Sequence, residues 1–407
     1  FEVFPDFRES KKYTGVLKGR FFDIFRERLK KAGMLDQALD FVKASGAIST
    51  ICHREDVEAA LRTSGFGGFQ MLDLQDFSGQ GVALIGLLDV FMESKGLITP
   101  KAWRESCCET VPLLWMQKYT WANNESFLGR IRVAHYGPAD LCDQVVSWVL
   151  RGSEGHVHAR GEAPAIDIRT GSVTDVDIFS VDLGHVRKAQ KLQITLKLKG
   201  TGYRNSYDIW VYPAQVNTEP TKNVIVARSF SRKVQSELAE GGRVLLLAKP
   251  EKLKQSVRMA FQSSFWSPMF RNKPGRLNPL GKETPGTQGI LCDPRHPLFH
   301  DFPTEFHTNW QWWQLVKNSR AMVLDETAQA FRPLIQVVDG FDRNHKLGLL
   351  FEARVGKGRL LVCSMDLPAL QEHPEARQLL SSIQRYMASR DFNPRHELEP
   401  AVVRAIV

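Results

Sequence analysis

The chain has 407 residues, of which 43% are hydrophobic and 24% are charged, and it carries a formal net charge of +9. This length suits about two to four domains, and no apolar run reaches the roughly 20 residues that a membrane helix needs, so no membrane partner is expected. A basic chain can bind nucleic acid. Its Lys and Arg residues are scattered, however, without interleaved aromatic residues, which argues against that partner.

The six cysteines show no pattern that predicts a metal site or a disulfide framework. They form no CxxC pair and no zinc-type spacing, and the adjacent Cys107 and Cys108 cannot easily bridge each other. His296, His300 and His307 make no recognised metal motif either, so neither a metal nor another cofactor is expected. The cysteine content suits the cytoplasm and equally a periplasmic or extracellular protein with few bridges.

Helical patterns come first along the chain. Amphipathic patterns predict helices over residues 21–32, 35–45 and 54–63, the second of them ended by Gly46. Residues 68–76 then read GFQMLDLQD, an apolar run that becomes polar at its carboxyl end, which is typical of a buried parallel strand. A helix-like run follows it. Helices around a single buried strand indicate part of an α/β barrel, and one strand cannot close a barrel, so this part should expose a large apolar face.

The polar end of that predicted strand supplies candidate sugar ligands. α/β barrels and open sheets place their chemistry at the carboxyl ends of strands. Asp73, Gln75 and Asp76 lie at this position, and carboxylates and amides hydrogen-bond sugar hydroxyls. The alternative is that each side chain caps the next helix or satisfies loop backbone, and Asp76 is the strongest capping candidate. Asp73 and Asp76 can both face a barrel mouth only if the strand ends between them.

From residue 119 the hydrophobic period becomes strand-like. Alternating runs occur at residues 127–135, 144–150, 174–181 and 191–198, and turn signals separate them. A last strand is expected at 205–213, with Trp148 and Trp210 as candidate core residues. Strands at this spacing predict a β-sandwich over residues 116–214.

From residue 222 strands alternate with helices. Strands are expected at NVIVARSF, RVLLLAKP and GILCDP, followed by the pair LGLLFEARV and GRLLVCSMDL and a helix over 374–388. Residues 356–358 indicate a hairpin turn within that pair and not a phosphate loop. This order predicts an open, flavodoxin-like α/β domain over 215–393, with a polar tail at 394–407.

Residues 305–313 read EFHTNWQWW and are dense in aromatic and polar side chains. Aromatic rings can stack on sugar rings, and His with Glu can bind metals. The alternative, which we favour, is that Trp310, Trp312 and Trp313 pack a domain interface, with His307 hydrogen-bonded beside them.

Several segments in one order resemble glycoside hydrolase family 2, in particular its large bacterial, β-galactosidase-like branch. They are FPDF at 4–7, KKYTGVLK at 11–18, AALRTSGFGGFQ at 59–70, GGFQMLDLQDFSGQG at 67–81 and LKLKGTGYRNSYDIWVYP at 196–213. The resemblance implies that residues 1–115 are the carboxyl-terminal part of a TIM-barrel catalytic domain, ending in its eighth strand. It also implies an immunoglobulin-like β-sandwich at 116–214 and a glutamine-amidotransferase-like α/β domain at 215–393.

A retaining glycosidase uses two carboxyl groups about 5 Å apart, one as nucleophile and one as acid/base. The resemblance places both upstream of Phe1, and the neighbours of Glu2 do not match those of the nucleophile. The chain is therefore expected to be a carboxyl-terminal fragment without a catalytic residue and inactive alone. In the whole protein, Asp73, Gln75 and Asp76 would border the glycan substrate of a β-glycosidase that hydrolyses O-glycosidic bonds.

Two other classes stay open at this point. One is a non-catalytic carbohydrate- or protein-binding module. The other is an amidotransferase-like enzyme, which needs a reactive thiol at Cys292 or Cys363, where the flanking glycines of such a nucleophile are missing. The sequence also leaves a homo-oligomer open.

Overall fold

A computed structural model describes residues 1–16, 18–72, 74–77, 83–263, 286–341 and 343–407. Three parts follow one another along the chain: a helical segment, a β-sandwich and an α/β layer. The protein is therefore multidomain, with mostly β-sheet and some helices. No closed barrel forms within the described ranges.

The helical segment packs against the first residues of the chain. Its helices are α1 (Arg20–Lys31), α2 (Ala38–Arg62) and the short α3 (Pro100–Trp103). Phe4, Phe22, Leu29 and Phe41 share one core with Phe341 of the α/β layer, so these two parts are packed together. No helix in the described part of the chain is both long and apolar enough to cross a membrane.

Helix α2 joins two predicted helices into one. The stretches at 35–45 and 54–63 were expected to be separate, with Gly46 as the end of the first, and this prediction is wrong. Gly46 lies inside α2, where a Cβ would come within 2.2 Å of Leu97 Cδ2. Close packing against Leu97, and not a helix end, therefore explains the glycine.

The strand predicted over 68–76 is not seen, because the described residues of that segment form no ladder. Gln75 makes an isolated parallel bridge with Leu88, and Asp76 N–H donates to Leu88 O at 2.9 Å. The helix-like run after it is likewise no helix in its described residues. Gly86 permits a close approach of the two segments, because a Cβ there would lie 2.3 Å from the Gln75 carbonyl carbon.

The β-sandwich contains ten strands. They are β1 (Thr110–Trp115), β2 (Thr120–Ala122), β3 (Ser126–His135), β4 (Leu141–Gln144), β5 (Val146–Gly152), β6 (Val157–Glu162), β7 (Ile166–Ile168), β8 (Ser172–Asp182), β9 (Gln190–Leu198) and β10 (Arg204–Tyr212). One sheet has the order β1-β3-β8, the other the order β2-β10-β9-β5-β6, and β4 pairs with β7. Phe127, Ile194 and Tyr207 share the core between the sheets. Trp148 is half-buried beside it, whereas Trp210 is buried in the core of the α/β layer.

The α/β layer is a mixed sheet with helices. Its elements are β11 (Val224–Ala227), α4 (Arg232–Ala239), β12 (Arg243–Leu247), β13 (Ser256–Arg258), β14 (Thr287–Cys292), α5 (Trp313–Lys317), β15 (Arg320–Val323), β16 (Ile335–Asp339), β17 (Leu347–Val355), β18 (Gly358–Cys363), α6 (Pro374–Ala388) and α7 (Pro400–Ile406). Only the neighbours β11, β12 and β18 pair in parallel among the described strands of this sheet; the others pair antiparallel. The described strands therefore form a mixed sheet, and the flavodoxin-like fold stays a prediction.

Two smaller predictions concern the same layer. The hairpin turn between β17 and β18 is confirmed, since Val355 pairs with Gly358 and Gly356 has a φ of 58°. Residues 394–407, expected to be a polar tail, include α7, whose Val403 and Ile406 are buried in the core of the layer.

Candidate functional site

The predicted sugar ligands fall into different surroundings. Asp73 lies outside the described residues. Gln75 is exposed, whereas Asp76 is only 6% exposed and lines a cavity of about 110 Å³. Gln75 and Asp76 are neighbours in the chain, but one faces solvent and the other is buried. The sugar-binding role of Asp73, Gln75 and Asp76 stays a prediction.

The cavity forms where the first residues of the chain meet the loop that follows the 68–76 segment. Val3 N–H donates to Leu84 O at 2.8 Å, which holds these two stretches together. We call this space the Asp76 cavity. Its charged lining residues are Asp6, Arg8, Glu9, Asp76, Asp89 and Lys95. Phe4, Phe22 and Leu84 supply apolar walls, which limit the contact of these charges with water.

Asp76 and Lys95 form a buried ion pair. Asp76 Oδ1 accepts from Lys95 Nζ at 2.5 Å and from Gly86 N–H at 2.9 Å. Burial raises the pKa of Asp76 to about 6, although Lys95 opposes the shift, and burial also lowers the pKa of Lys95. Among the described residues, Asp76 satisfies loop backbone at Gly86, which is one part of the alternative that the sequence left open. A carboxyl group that titrates near pH 6 is also suited to proton transfer near neutral pH.

Glu9 and Asp89 are two further carboxyl groups of the cavity lining. Lys12 joins them, because its Nζ lies 2.7 Å from Glu9 Oε2 and 2.6 Å from Asp89 Oδ2. Burial raises the pKa of Glu9. Burial acts in the same direction on Asp89, but the hydrogen bonds from Lys12 and from the Glu93 N–H outweigh it and hold the pKa of Asp89 below its usual value. Carboxyl groups whose pKa values are moved apart can serve as an acid and a base.

Tyr13 adds a neutral hydroxyl to the same lining. Burial raises its pKa to about 12, and the charges of Asp76 and Asp89 contribute to that shift. The ring packs edge-on against Phe22 and Phe91, with centroid distances of 5.5 and 5.2 Å. Tyr13 therefore stays protonated and can donate or accept a hydrogen bond at physiological pH.

The described walls enclose too little space for a whole sugar. Pockets that bury a drug-sized ligand measure roughly 300–1,000 Å³. A volume of about 110 Å³ admits a few water molecules or one small polar group. The arrangement can exchange protons and bind such a group. Among the described residues, no cluster of three or more His, Cys, Asp or Glu side chains could hold a metal ion.

Sequence reasoning missed Glu9, Asp89 and Lys95. Lys95 lies 19 residues after its partner Asp76, and Asp89 lies 77 residues after Lys12. Only the irregular path of the loop at 83–97 brings these groups together, and no periodic pattern marks such a path. The one available signal was that Glu9 lies between two segments that carry the family resemblance.

Of the three tryptophans predicted to pack a domain interface, only Trp310 stacks on a residue of another part, whereas Trp313 is 38% exposed. Trp312 is fully buried in the core of the α/β layer. The Trp310 ring is covered on both faces, by Tyr119 at a centroid distance of 4.5 Å and by Phe261 at 4.8 Å. Since Tyr119 belongs to the sandwich part, this stack joins two parts of the molecule.

The two candidate nucleophilic thiols are buried. Cys292 ends β14 and Cys363 ends β18, and burial raises the pKa of each thiol to about 12. A nucleophilic cysteine needs a lowered pKa and access to substrate. Neither residue therefore fits the role that an amidotransferase would require.

Two family models match parts of the sequence. One, described as Domain of unknown function (DUF8487), covers residues 225–407, and the other, Domain of unknown function (DUF8488), covers residues 125–213. A comparison with curated proteins found no match.

Solved structures give only distant likenesses. The DNA-bound alkylpurine DNA glycosylase AlkC of Pseudomonas fluorescens is 16% identical with a TM-score of 0.21, over 26% of this chain and 31% of that one. A family 123 glycoside hydrolase from Clostridium perfringens is 7% identical with a TM-score of 0.20, over 39% of this chain and 43% of that one. A β-glucuronidase of glycoside hydrolase family 2 is 10% identical with a TM-score of 0.20, over 38% of this chain and 20% of that one.

Glycoside hydrolases are thus among the structures that this chain is similar to, and so is a DNA glycosylase. TM-scores near 0.2 lie far below the level at which two chains share a fold. These likenesses therefore assign neither a fold nor an activity to this protein.

Proposed function

We propose that this chain is the carboxyl-terminal portion of a retaining, β-galactosidase-like β-glycosidase that hydrolyses O-glycosidic bonds in glycans. The catalytic carboxylates would lie upstream of residue 1. The chain would supply the end of a TIM barrel, an immunoglobulin-like sandwich and a glutamine-amidotransferase-like domain. A periplasmic or extracellular location, where glycans are met, belongs to the same proposal.

One observation carries this proposal: separate segments that resemble the family converge on the Asp76 cavity. Phe4 and Asp6 come from FPDF, Tyr13 from KKYTGVLK, and Asp76 from the GGF segment, and all four line that cavity. Segments that resembled the family only by chance would have no reason to lie together in the folded chain. Their convergence beside carboxyl residues supports a common site at this place, and the remainder of a barrel would supply the space for a sugar.

The surface around the GGF segment supports the same proposal. Apolar side chains there are 39–74% exposed. They are Phe66, Phe69, Leu72, Leu74 and Phe77. Exposed apolar side chains that are grouped in one segment favour a place where other structure binds. Further strands and helices of a barrel would cover it.

The test is hydrolysis of aryl β-glycosides by the full-length gene product, measured beside residues 1–407 alone. We expect the full-length protein to hydrolyse at least one aryl β-glycoside and residues 1–407 to hydrolyse none. Robust hydrolysis by residues 1–407 would contradict the placement of the catalytic carboxylates. The alternative, a non-catalytic carbohydrate- or protein-binding module, predicts binding without hydrolysis by the full-length protein as well.

A further inference from the structure

A larger cleft, of about 520 Å³, lies where α2, the five-stranded sheet and residues 305–310 meet. We propose that this junction cleft binds a neutral, polyhydroxylated ligand of one or two sugar rings. The cleft shares no lining residue with the Asp76 cavity, so it would be a second site that does not depend on the proposed hydrolysis. Clefts between domains are a preferred position for small ligands, and this volume lies within the usual range.

The charges in the cleft favour a neutral ligand, because each is already paired within the chain. Lys191 Nζ lies 2.8 Å from Asp208 Oδ2 and 2.6 Å from Glu305 Oε1. The remaining pairs are Arg54 with Glu58 at 3.0 Å, Glu55 with Arg62 at 3.6 Å, and Glu105 with Arg204 at 2.9 Å. An ionic ligand would have to break such a pair, whereas a hydroxyl group can donate to a remaining lone pair of a paired carboxylate.

His307 lines the cleft and has a nitrogen that can accept a hydrogen bond. Its Nδ1–H donates to Thr308 O at 2.8 Å, since a carbonyl oxygen can only accept. This contact fixes the tautomer and leaves Nε2 with a lone pair when the ring is neutral. Burial lowers the pKa of His307, so the neutral form prevails at physiological pH. A sugar hydroxyl is a suitable donor to that nitrogen.

Gln193 adds an amide at the exposed edge of the cleft. Its Nε2 donates to Asp208 Oδ1 at 3.1 Å. A carboxamide can take part in up to about four hydrogen bonds, so this group retains capacity for a ligand. Ile51, Leu97 and Ile98 supply apolar surface in the same lining. Polar groups beside apolar surface suit a pyranose ring, which has hydroxyl edges and C–H faces.

One wall of the cleft is held rigid by a buried network around Glu58, which is 0% exposed. Glu58 Oε1 accepts from Arg54 Nε and Asn205 Nδ2, each at 3.0 Å, and Glu58 Oε2 accepts from Tyr207 Oη at 2.8 Å. Arg54 Nη2 donates to Ser206 O at 2.7 Å. Because α2 and β10 are fixed to each other, a ligand at this wall does not have to order them on binding.

The experiment is titration calorimetry on residues 1–407 with galactose, glucose, xylose, lactose and cellobiose. Spermidine and glucuronate serve as cationic and anionic comparators. We expect at least one neutral sugar to bind with a dissociation constant of about 1 mM or below, more tightly than either comparator. His307→Ala and Gln193→Ala should each weaken that binding at least about fivefold. His300→Ala is the matched control, since its side chain is 83% exposed and lies outside the cleft.

Three results would overturn the proposal: no neutral sugar binds, both variants bind as the unchanged protein does, or only a charged comparator binds. If circular dichroism shows that His307→Ala does not fold, the change Gln193→Ala, at an exposed residue, still tests the proposal. Binding requires no upstream carboxylate. A failure of the proposed hydrolysis therefore leaves this test intact, and a failure here leaves the hydrolysis test intact.

Discussion

At the scale of single residues, Asp76 has the clearest measurable property. Its folded pKa is raised to about 6, above the ordinary value of 3.8, because burial disfavours the carboxylate. The folded state therefore binds more protons than the unfolded state between these values. Stability from this group is present at low pH and is lost as the pH rises from about 4 to about 6.

Asp76→Asn should remove this contribution to the pH dependence of the free energy of unfolding. A shift of two pKa units corresponds to about 2–3 kcal/mol across that window. Urea unfolding at several pH values from 4 to 7, compared between the two proteins, measures it. The control is Asp56→Asn, a change at an exposed residue of α2. It should leave the pH dependence of the free energy of unfolding unchanged. Parallel profiles for Asp76→Asn and the unchanged protein would contradict the buried, protonatable carboxyl group.

At the scale of elements, the sequence predicted the sandwich strands and one hairpin, and it missed the long helix α2 and the irregular loop at 83–97. The sandwich core and the β17–β18 hairpin followed from alternation and from turn glycines, which are local signals. Local signals did not predict that the two helices form the single helix α2. They also did not predict the course of the loop at 83–97. Both depend on contacts with distant residues, Leu97 at Gly46 and Gln75 at Gly86. The sequence alone does not distinguish a glycine that permits close packing from a glycine that ends a helix.

The residues of the candidate site were likewise predictable from the sequence only in part. The run that contains Asp76 could be singled out because its polar end stands out in an apolar stretch. Its partner Lys95 could not, because nothing local to Lys95 distinguishes it from a solvated lysine. The same holds for Glu9 and Asp89, whose pairing through Lys12 exists only in the folded chain.

Gly86→Ala tests whether the loop and the 74–77 segment approach as closely as described. The new Cβ would lie 2.3–2.6 Å from the backbone of Gln75 and Asp76, so the segments must separate. We expect a loss of about 1–3 kcal/mol in the free energy of unfolding, measured with urea. Gly67→Ala is the matched control, since nothing lies within 4 Å of its Cβ position. Equal stability of both variants would show that the close approach is absent.

Glu58→Ala tests the junction between α2 and β10. The change leaves Arg54 and Asn205 without their buried acceptor, and breaking a buried ion pair costs about 3–5 kcal/mol. Thermal or urea unfolding should show a loss of that size. Glu27→Ala, an exposed change on α1, should cost less than about 0.5 kcal/mol. If the two variants lose similar stability, the network does not hold the junction together.

At the scale of the whole molecule, three parts share cores and buried networks, and one part exposes apolar surface. Phe341 and Trp210 link the α/β layer to the helical segment and to the sandwich. The apolar side chains from Phe66 to Phe77 face outward beside a cavity that is too small for a sugar. This combination fits a chain whose glycan site is completed by further structure, as the proposed glycosidase requires.

The most direct test of that claim is a proton NMR time course of an aryl β-galactoside with the full-length gene product. We predict hydrolysis in which the β-anomer of the free sugar appears first, because a retaining enzyme passes through a glycosyl–enzyme intermediate. First appearance of the α-anomer would contradict a retaining mechanism. Absence of hydrolysis of this and other aryl β-glycosides would contradict the assignment to a β-glycosidase altogether.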